Sequence, residues 1–234
     1  MSLLDALTAR IASDGPLSMA DYMAECLTHP RFGYYTTRDP LGASGDFITA
    51  PEISQMFGEL IGLALAQSWL DQGAPVPYML AELGPGRGTL MADALRAMAH
   101  VPGCVAATRL YLLEASPILR RAQAEALEAH NPTWVDELGE APDLPLFLIA
   151  NEFFDALPVR QFQRDGPAWR ERCVGLDSDG RLKPGLGPPV RPASLEARVS
   201  DTREGDLVEV APAAPVICGQ IAQRIAGYGG AALI

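Results

Sequence analysis

Basic residues are outnumbered in this 234-residue chain: 18 Lys and Arg stand against 29 Asp and Glu, a net charge of −11. A nucleic-acid partner needs a basic face that neutralises phosphates, so no nucleic acid is expected to bind. Thiols and imidazoles are few and dispersed. Cys26, Cys104, Cys173 and Cys218 form no CxxC pair, and His29, His100 and His130 are as widely scattered. No metal-ligand spacing arises, no metal is expected, and the cysteines read as incidental residues of a reducing compartment. The opening MSLLDALTARIASDG contains Asp5 and lacks a basic segment followed by a continuous apolar core, so it does not read as a secretory signal. Long apolar runs are missing too. ISQMFGELIGLALAQSWL is interrupted by Gln55, Glu59 and Gln67, which suits a buried helix rather than a membrane span. These absences together point to a cytoplasmic protein. No internal repeat is found, and the sequence carries no signal for oligomeric state.

What is present is apolar content of 48%, enough for a full core in one sizeable domain with a small appendage. Leu3, Leu4, Leu7 and Ile11 recur at helical spacing behind Ser2, a good N-cap. A second helix opens at Ser18, with Asp21 in the acidic position of a capping box, and stops at His29-Pro30. RFGYYTTRDPLGASGDFITAPE, residues 31–52, reads as a long loop of the functional kind. A long helix is expected from about Pro51 to Gln72, with Thr49-Ala-Pro-Glu52 as its capping box and Gly73 as its stop.

The rhythm then changes. YMLAEL (78–83) reads as a strand, TLMADALRAMAH as a helix, LYLLE (110–114) as a strand, and Ser116-Pro117 opens a helix to about Glu128. A weak strand is expected near Trp134-Val135 and a strong one at LFLIA (146–150). Alternation at this spacing predicts an α/β fold, a parallel sheet with helices on both faces. The strands are apolar throughout, as doubly covered strands should be. VRQFQR and WRERCVGL around a DGPA turn suggest a β-hairpin insertion, followed by KPGLGPPVRP as an irregular connector. LVEV (207–210) reads as a short strand, residues 216–225 as a helix ended by Gly227, and YGGAALI as the opening of another buried strand. The expected division is an N-terminal helical arm and loop, 1–48, and a domain over 49–234 with an insertion at 159–205, its last strands missing beyond Ile234.

ELGPGRGT (82–89) lies between a strand and a helix, where glycines let a ligand approach the backbone at a helix N-terminus. The P-loop pattern fails because Thr89 stands where its second glycine belongs, and the dinucleotide fingerprint fails at the same residue. What remains is ExGxGxG, with Glu82, Gly84, Gly86 and Gly88. It resembles the first motif of class I S-adenosylmethionine (SAM) methyltransferases. SAM carries an ammonium, a sulfonium and a ribose diol but no phosphate, so an acid at the strand end suits it. Glu114 ends the next strand, 26 residues after Gly88, where a carboxylate can accept both ribose hydroxyl protons. The bland alternative makes GPGRG a tight turn and Glu114 a solvated strand end.

GPLSMADYMAECLTHPRFGYY, GDFITAPEISQMFGE, AELGPGRGTLMADALR, YLLEASPILRRAQ and ANEFFDALPVRQF resemble successive blocks of the MidA family of class I SAM-dependent methyltransferases. The resemblance covers most of residues 15–162. It implies a Rossmann-like methyltransferase sheet, SAM as cofactor, and a protein substrate with a target arginine. Mitochondrial members of the family are matrix-located complex I assembly factors that methylate an arginine of a core subunit, so a complex I subunit is the partner the resemblance suggests. It also implies that Gly84, Gly86 and Gly88 form the SAM loop and Glu114 binds ribose. Gly45-Asp46-Phe47 would close over the cofactor, which makes Asp46 a further cofactor candidate.

In an open α/β sheet, ligands sit outside the carboxyl ends of the strands at the switch point. This places Asn151, Glu152 and Asp155, at the end of LFLIA, beside the sulfonium. Carboxylates can grip a guanidinium fork bidentately and localise its charge on one side. Phe153 and Phe154 could wall the channel. The competing account makes Glu152 a turn residue, pairs Asp155 with Arg160 and puts the phenylalanines in the core. Two other functional classes fit the sequence: a small-molecule methyltransferase, and a non-enzymatic assembly factor that retains the cofactor fold.

Overall fold

The structure, a computed structural model, describes residues 2–37, 46 and 49–234. In chain order the elements are α1 (Leu3–Asp14), β1 (Leu17–Ser18), α2 (Met19–Thr28), α3 (Tyr34–Thr37), α4 (Ala50–Ile53), α5 (Gln55–Asp71), β2 (Tyr78–Leu83), α6 (Thr89–Met98), β3 (Thr108–Leu113), α7 (Pro117–Ala126), β4 (Thr133–Val135), β5 (Leu146–Ile149), β6 (Arg160–Asp165), β7 (Ala168–Leu176), β8 (Leu182–Val190), β9 (Leu207–Val210), α8 (Ala213–Tyr228) and β10 (Gly230–Leu233). They form two compact units, Met1–Tyr34 with Leu157–Pro215, and Tyr35–Ala156 with Val216–Ile234.

The second unit holds the expected parallel sheet, in the order β10-β5-β2-β3-β4. Successive strands step outward from β2 to β4, and the chain then returns to the other side of β2 with β5. The switch point therefore lies between β2 and β5, where Glu82 pairs in register with Ile149. Both strands are buried along their whole length. One face packs Leu80, Phe147 and Leu112 against Leu65, Trp69, Leu90, Met91 and Leu95 of α5 and α6. The other packs Met79, Ala81, Leu146 and Leu148 against Ile221 of α8 and the half-buried Ile217 and Ile225. Each such side chain contributes about 1.5–3 kcal/mol by leaving water.

Two glycines set how close α6 comes. A Cβ on Gly58 of α5 would stand 2.6 Å from Asp93 Cβ, and one on Gly62 would stand 2.5 Å from the Ala94 carbonyl oxygen. Only glycine lets the two helices approach backbone to backbone, and that approach seats the start of α6 at the mouth of the glycine loop. The long helix expected from Pro51 is divided. Pro51 opens the short α4, Ser54 takes an extended conformation, and α5 restarts behind it. Thr49 makes no side-chain cap, so the capping box predicted for it is not formed. The Glu52 carboxylate instead accepts from Thr89 Oγ1 at 2.7 Å.

In the first unit, α1 carries the capping box that Ser2 and Asp5 predict, each side chain meeting the other's backbone N–H. Leu7 and Ile11 of α1 pack with Leu17 and Val174. Arg160–Asp165 and Ala168–Leu176 form the predicted hairpin, turned at Gly166. KPGLGPPVRP, read from sequence as a connector, is mostly strand: β8 pairs antiparallel with β7 across a register shift. Its prolines are tolerated because β8, paired among the described residues with β7 alone, is an edge strand. The division expected at residues 48/49 is also redrawn. The N-terminal helices share their unit with the hairpin insertion because β1 pairs with β7 and Leu17 packs on Val174.

Candidate functional site

LFLIA is a buried strand whose residues are at most 2% exposed. Its continuation emerges at the switch point. Asn151 is half-buried, and Glu152 and Asp155 are exposed. Glu152 takes φ +51°, a left-handed conformation that costs a non-glycine residue about 1–2 kcal/mol. Phe153 turns back, and a Cβ on Gly84 would stand 3.1 Å from its Cδ2 atom. The end of β5 is therefore in contact with the glycine loop, as the sheet order requires. Phe154 meets Phe153 edge to face at 5.3 Å, and both pack against the core under β2 and β5. The Arg160 guanidinium donates to both oxygens of Glu171, at 2.8 and 2.7 Å.

The glycine loop is built from left-handed residues. Gly84, Gly86 and Gly88 have φ of +62°, +56° and +85°. Gly84 N–H donates to the Leu113 carbonyl at 3.0 Å, tying the loop to the end of β3, and Gly88 is the N-cap of α6. Glu82 is 2% exposed, and its Oε2 has no hydrogen-bond partner among the described residues. Burial, with the Glu114 charge nearby, pushes its carboxyl up to about 8. Glu114 follows β3 directly. Burial raises its pKa as well, against the opposing pull of the Ser116 N–H, the Gln123 amide, the Arg120 charge and the Ala115 N–H. The Ser116 N–H reaches Glu114 Oε1 at 2.8 Å, and Gln123 Nε2 reaches Oε2 at 3.2 Å. A buried acid with an orphaned oxygen beside a second, half-satisfied acid fits a ligand that brings a cation and hydroxyl donors.

The sheet thus brings together Glu82, Gly84, Gly86, Gly88, Glu114, Asn151 and Glu152. Asp155 lies further along the same turn. Asp46 is exposed at a bend, and its partners in the GDF block, Gly45 and Phe47, lie outside the described residues. Sequence reading missed Gln123, which is fully buried on α7. Its signal was a lone amide between Leu119 and Leu127 on an otherwise apolar helical face, spaced i, i+4, i+8. It also missed the reach of Glu52 to Thr89 and, at 3.9 Å, to Arg87, which closes the far side of the loop.

Known proteins resemble the chain at this site and well beyond it. The mitochondrial protein arginine methyltransferase NDUFAF7 of Bos taurus is 40% identical over 99% of this chain and 58% of its own length. The same protein of Danio rerio is 39% identical over 100% of this chain and 61% of its own. The chain thus spans about three fifths of the length of these curated relatives. A solved structure from Burkholderia thailandensis, bound to S-adenosyl-homocysteine, superposes with a TM-score of 0.80 at 30% identity, over 94% of this chain and 58% of that one. A family model matches residues 60–234, and on that match the chain belongs to the family described as "Putative S-adenosyl-L-methionine-dependent methyltransferase".

Proposed function

We propose that this chain binds SAM at the glycine loop and serves methyl transfer to an arginine of a protein. The observation that carries the reading is the pair of strand-end acids flanking that loop, the orphaned and buried Glu82 and the half-satisfied Glu114. Glu114 would accept from the ribose hydroxyls, Gly84, Gly86 and Gly88 would admit the ligand against backbone, and Glu82 would face its ammonium. Asp46 is a further candidate for closing over it. The bound cofactor supplies an electrophilic methyl group on a sulfonium.

The chain's own residues then have to present a nucleophile. Glu152 and Asp155, exposed at the switch point, would accept N–H bonds from an incoming guanidinium and hold its charge on one side. The far nitrogen is left the better nucleophile, and Asn151 would help fix its position. Much of the gain in such an in-line transfer is orientation. Exposed carboxylates on a raised turn favour a macromolecular acceptor over a small enclosed one. The resemblance to the MidA family suggests a respiratory complex I subunit as the acceptor and complex I assembly as the process. A cytoplasmic setting for a bacterial chain is part of the same reading.

The test is arginine methylation across the proteome of cells lacking the protein. The mark on a single arginine should vanish, return with the wild-type protein, and stay absent with Glu152→Ala, which still binds SAM. Full restoration by Glu152→Ala would remove Glu152 from the mechanism.

A further inference from the structure

Gln123 touches neither the switch point nor any exposed surface, yet it is the residue through which the glycine loop and the Glu114 carboxylate are joined. Its Nε2 donates to the Gly86 carbonyl at 2.7 Å and to Glu114 Oε2 at 3.2 Å. Its Oε1 accepts from Trp134 Nε1 at 2.8 Å. An indole nitrogen can only donate, so the amide has one orientation available and its two N–H bonds are committed to Gly86 and Glu114. Glu114 is then held at both ends. Oε1 takes the Ser116 N–H and Oε2 takes Gln123, while the Arg120 Nε donates to the Glu114 backbone carbonyl at 2.6 Å. With the weaker Ala115 N–H also acting on it, the carboxylate still keeps accepting capacity for a ligand's donors.

We infer that Gln123 is a positioning residue that orients Glu114 as a two-point acceptor for a cis-diol, and so sets selectivity for ribose over deoxyribose ligands. The inference rests on the cofactor site proposed above. Burial pushes the Glu114 carboxyl towards its neutral form, in which one oxygen becomes a donor and the match to two hydroxyls is lost. The Gln123 amide opposes that by donating to the ionised form. Its second N–H holds Gly86 at a fixed distance from the same carboxylate, coupling loop and acid in one unit. A structural role alone would stabilise the loop for every ligand equally. A positioning role acts only on ligands that bring two hydroxyl donors.

The experiment is a cycle of two proteins and two ligands, read by calorimetry. Wild type and Gln123→Met, an apolar substitution of similar length, are titrated with S-adenosylhomocysteine and with its 2′-deoxy analogue. Wild type should prefer the diol ligand by about tenfold or more, as expected when a bond to a charged acceptor is lost. In Gln123→Met that preference should collapse to about twofold, chiefly through loss of affinity for the diol ligand. Trp134→Phe, which keeps an aromatic side chain but removes the indole N–H that fixes the amide, should show a partial collapse and guards against a Gln123→Met that fails to fold. Equal weakening of both ligands in both variants would make Gln123 merely structural and overturn the inference while leaving the cofactor reading intact. A wild-type protein that binds neither ligand would overturn the cofactor reading, and this inference with it.

Discussion

Glu82 offers the sharpest perturbation, because its cost is written in the fold. It is 2% exposed, its Oε2 is unsatisfied among the described residues, and burial beside Glu114 raises its pKa from the ordinary 4.5 to about 8. The native state therefore binds this proton more tightly than the unfolded chain does. The stability this contributes is fully present below pH 4.5 and is lost as pH rises through about 8. At about 1.4 kcal/mol per pH unit, the interval amounts to at most about 5 kcal/mol. Glu82→Gln keeps the shape and removes the titration. In urea unfolding at pH 5 the two proteins should be alike within about 1 kcal/mol, and near pH 8.5 the variant should be the more stable by several kcal/mol. The same substitution removes the negative charge that a ligand ammonium would meet. Wild-type affinity for S-adenosylhomocysteine should climb over this pH window more steeply than that of Glu82→Gln, in which Glu114 alone of the two acids is left to titrate. A stability difference that does not change between pH 5 and 8.5 would refute the reasoning.

Two further substitutions test how the site is held. Glu152 holds a strained left-handed backbone, so Glu152→Gly should be more stable than Glu152→Ala by about 1 kcal/mol, and on the proposed role neither should support methyl transfer; equal thermal midpoints would place the strain elsewhere. Gly62→Val drives a side chain into the Ala94 backbone of α6. It should lower the melting temperature by about 10 °C and loosen the glycine loop seated on that helix; a midpoint within about 1 °C of wild type would show that α5 and α6 separate at little cost.

Most of the parallel-sheet unit was legible in the sequence because each strand was a short apolar run and each helix came with its own punctuation. Ser116-Pro117 opens α7 and Gly88 opens α6, as local chemistry predicts. The strand-end acids were legible for the same reason, since Glu82 and Glu114 each close an apolar run. What was not legible depends on neighbours far along the chain. Glu52 gives its carboxylate to Thr89 rather than to the Thr49 cap, which no local pattern encodes. Residues 182–190 carry proline and glycine at positions that deny a strand by propensity, and only pairing with β7 makes them one. Gln123 was hidden because a buried amide on an apolar helix face is visible only once its three partners are in place.

The central claim is that the two strand-end acids and the glycine loop make one cofactor site. Titration of S-adenosylhomocysteine into the wild-type chain and into Glu114→Ala tests it most directly. Wild type should bind one to one, and affinity should be at least about 30-fold weaker in the variant, with two hydroxyl contacts to a charged acceptor removed. Binding that is absent from wild type, or identical in the two proteins, would contradict it.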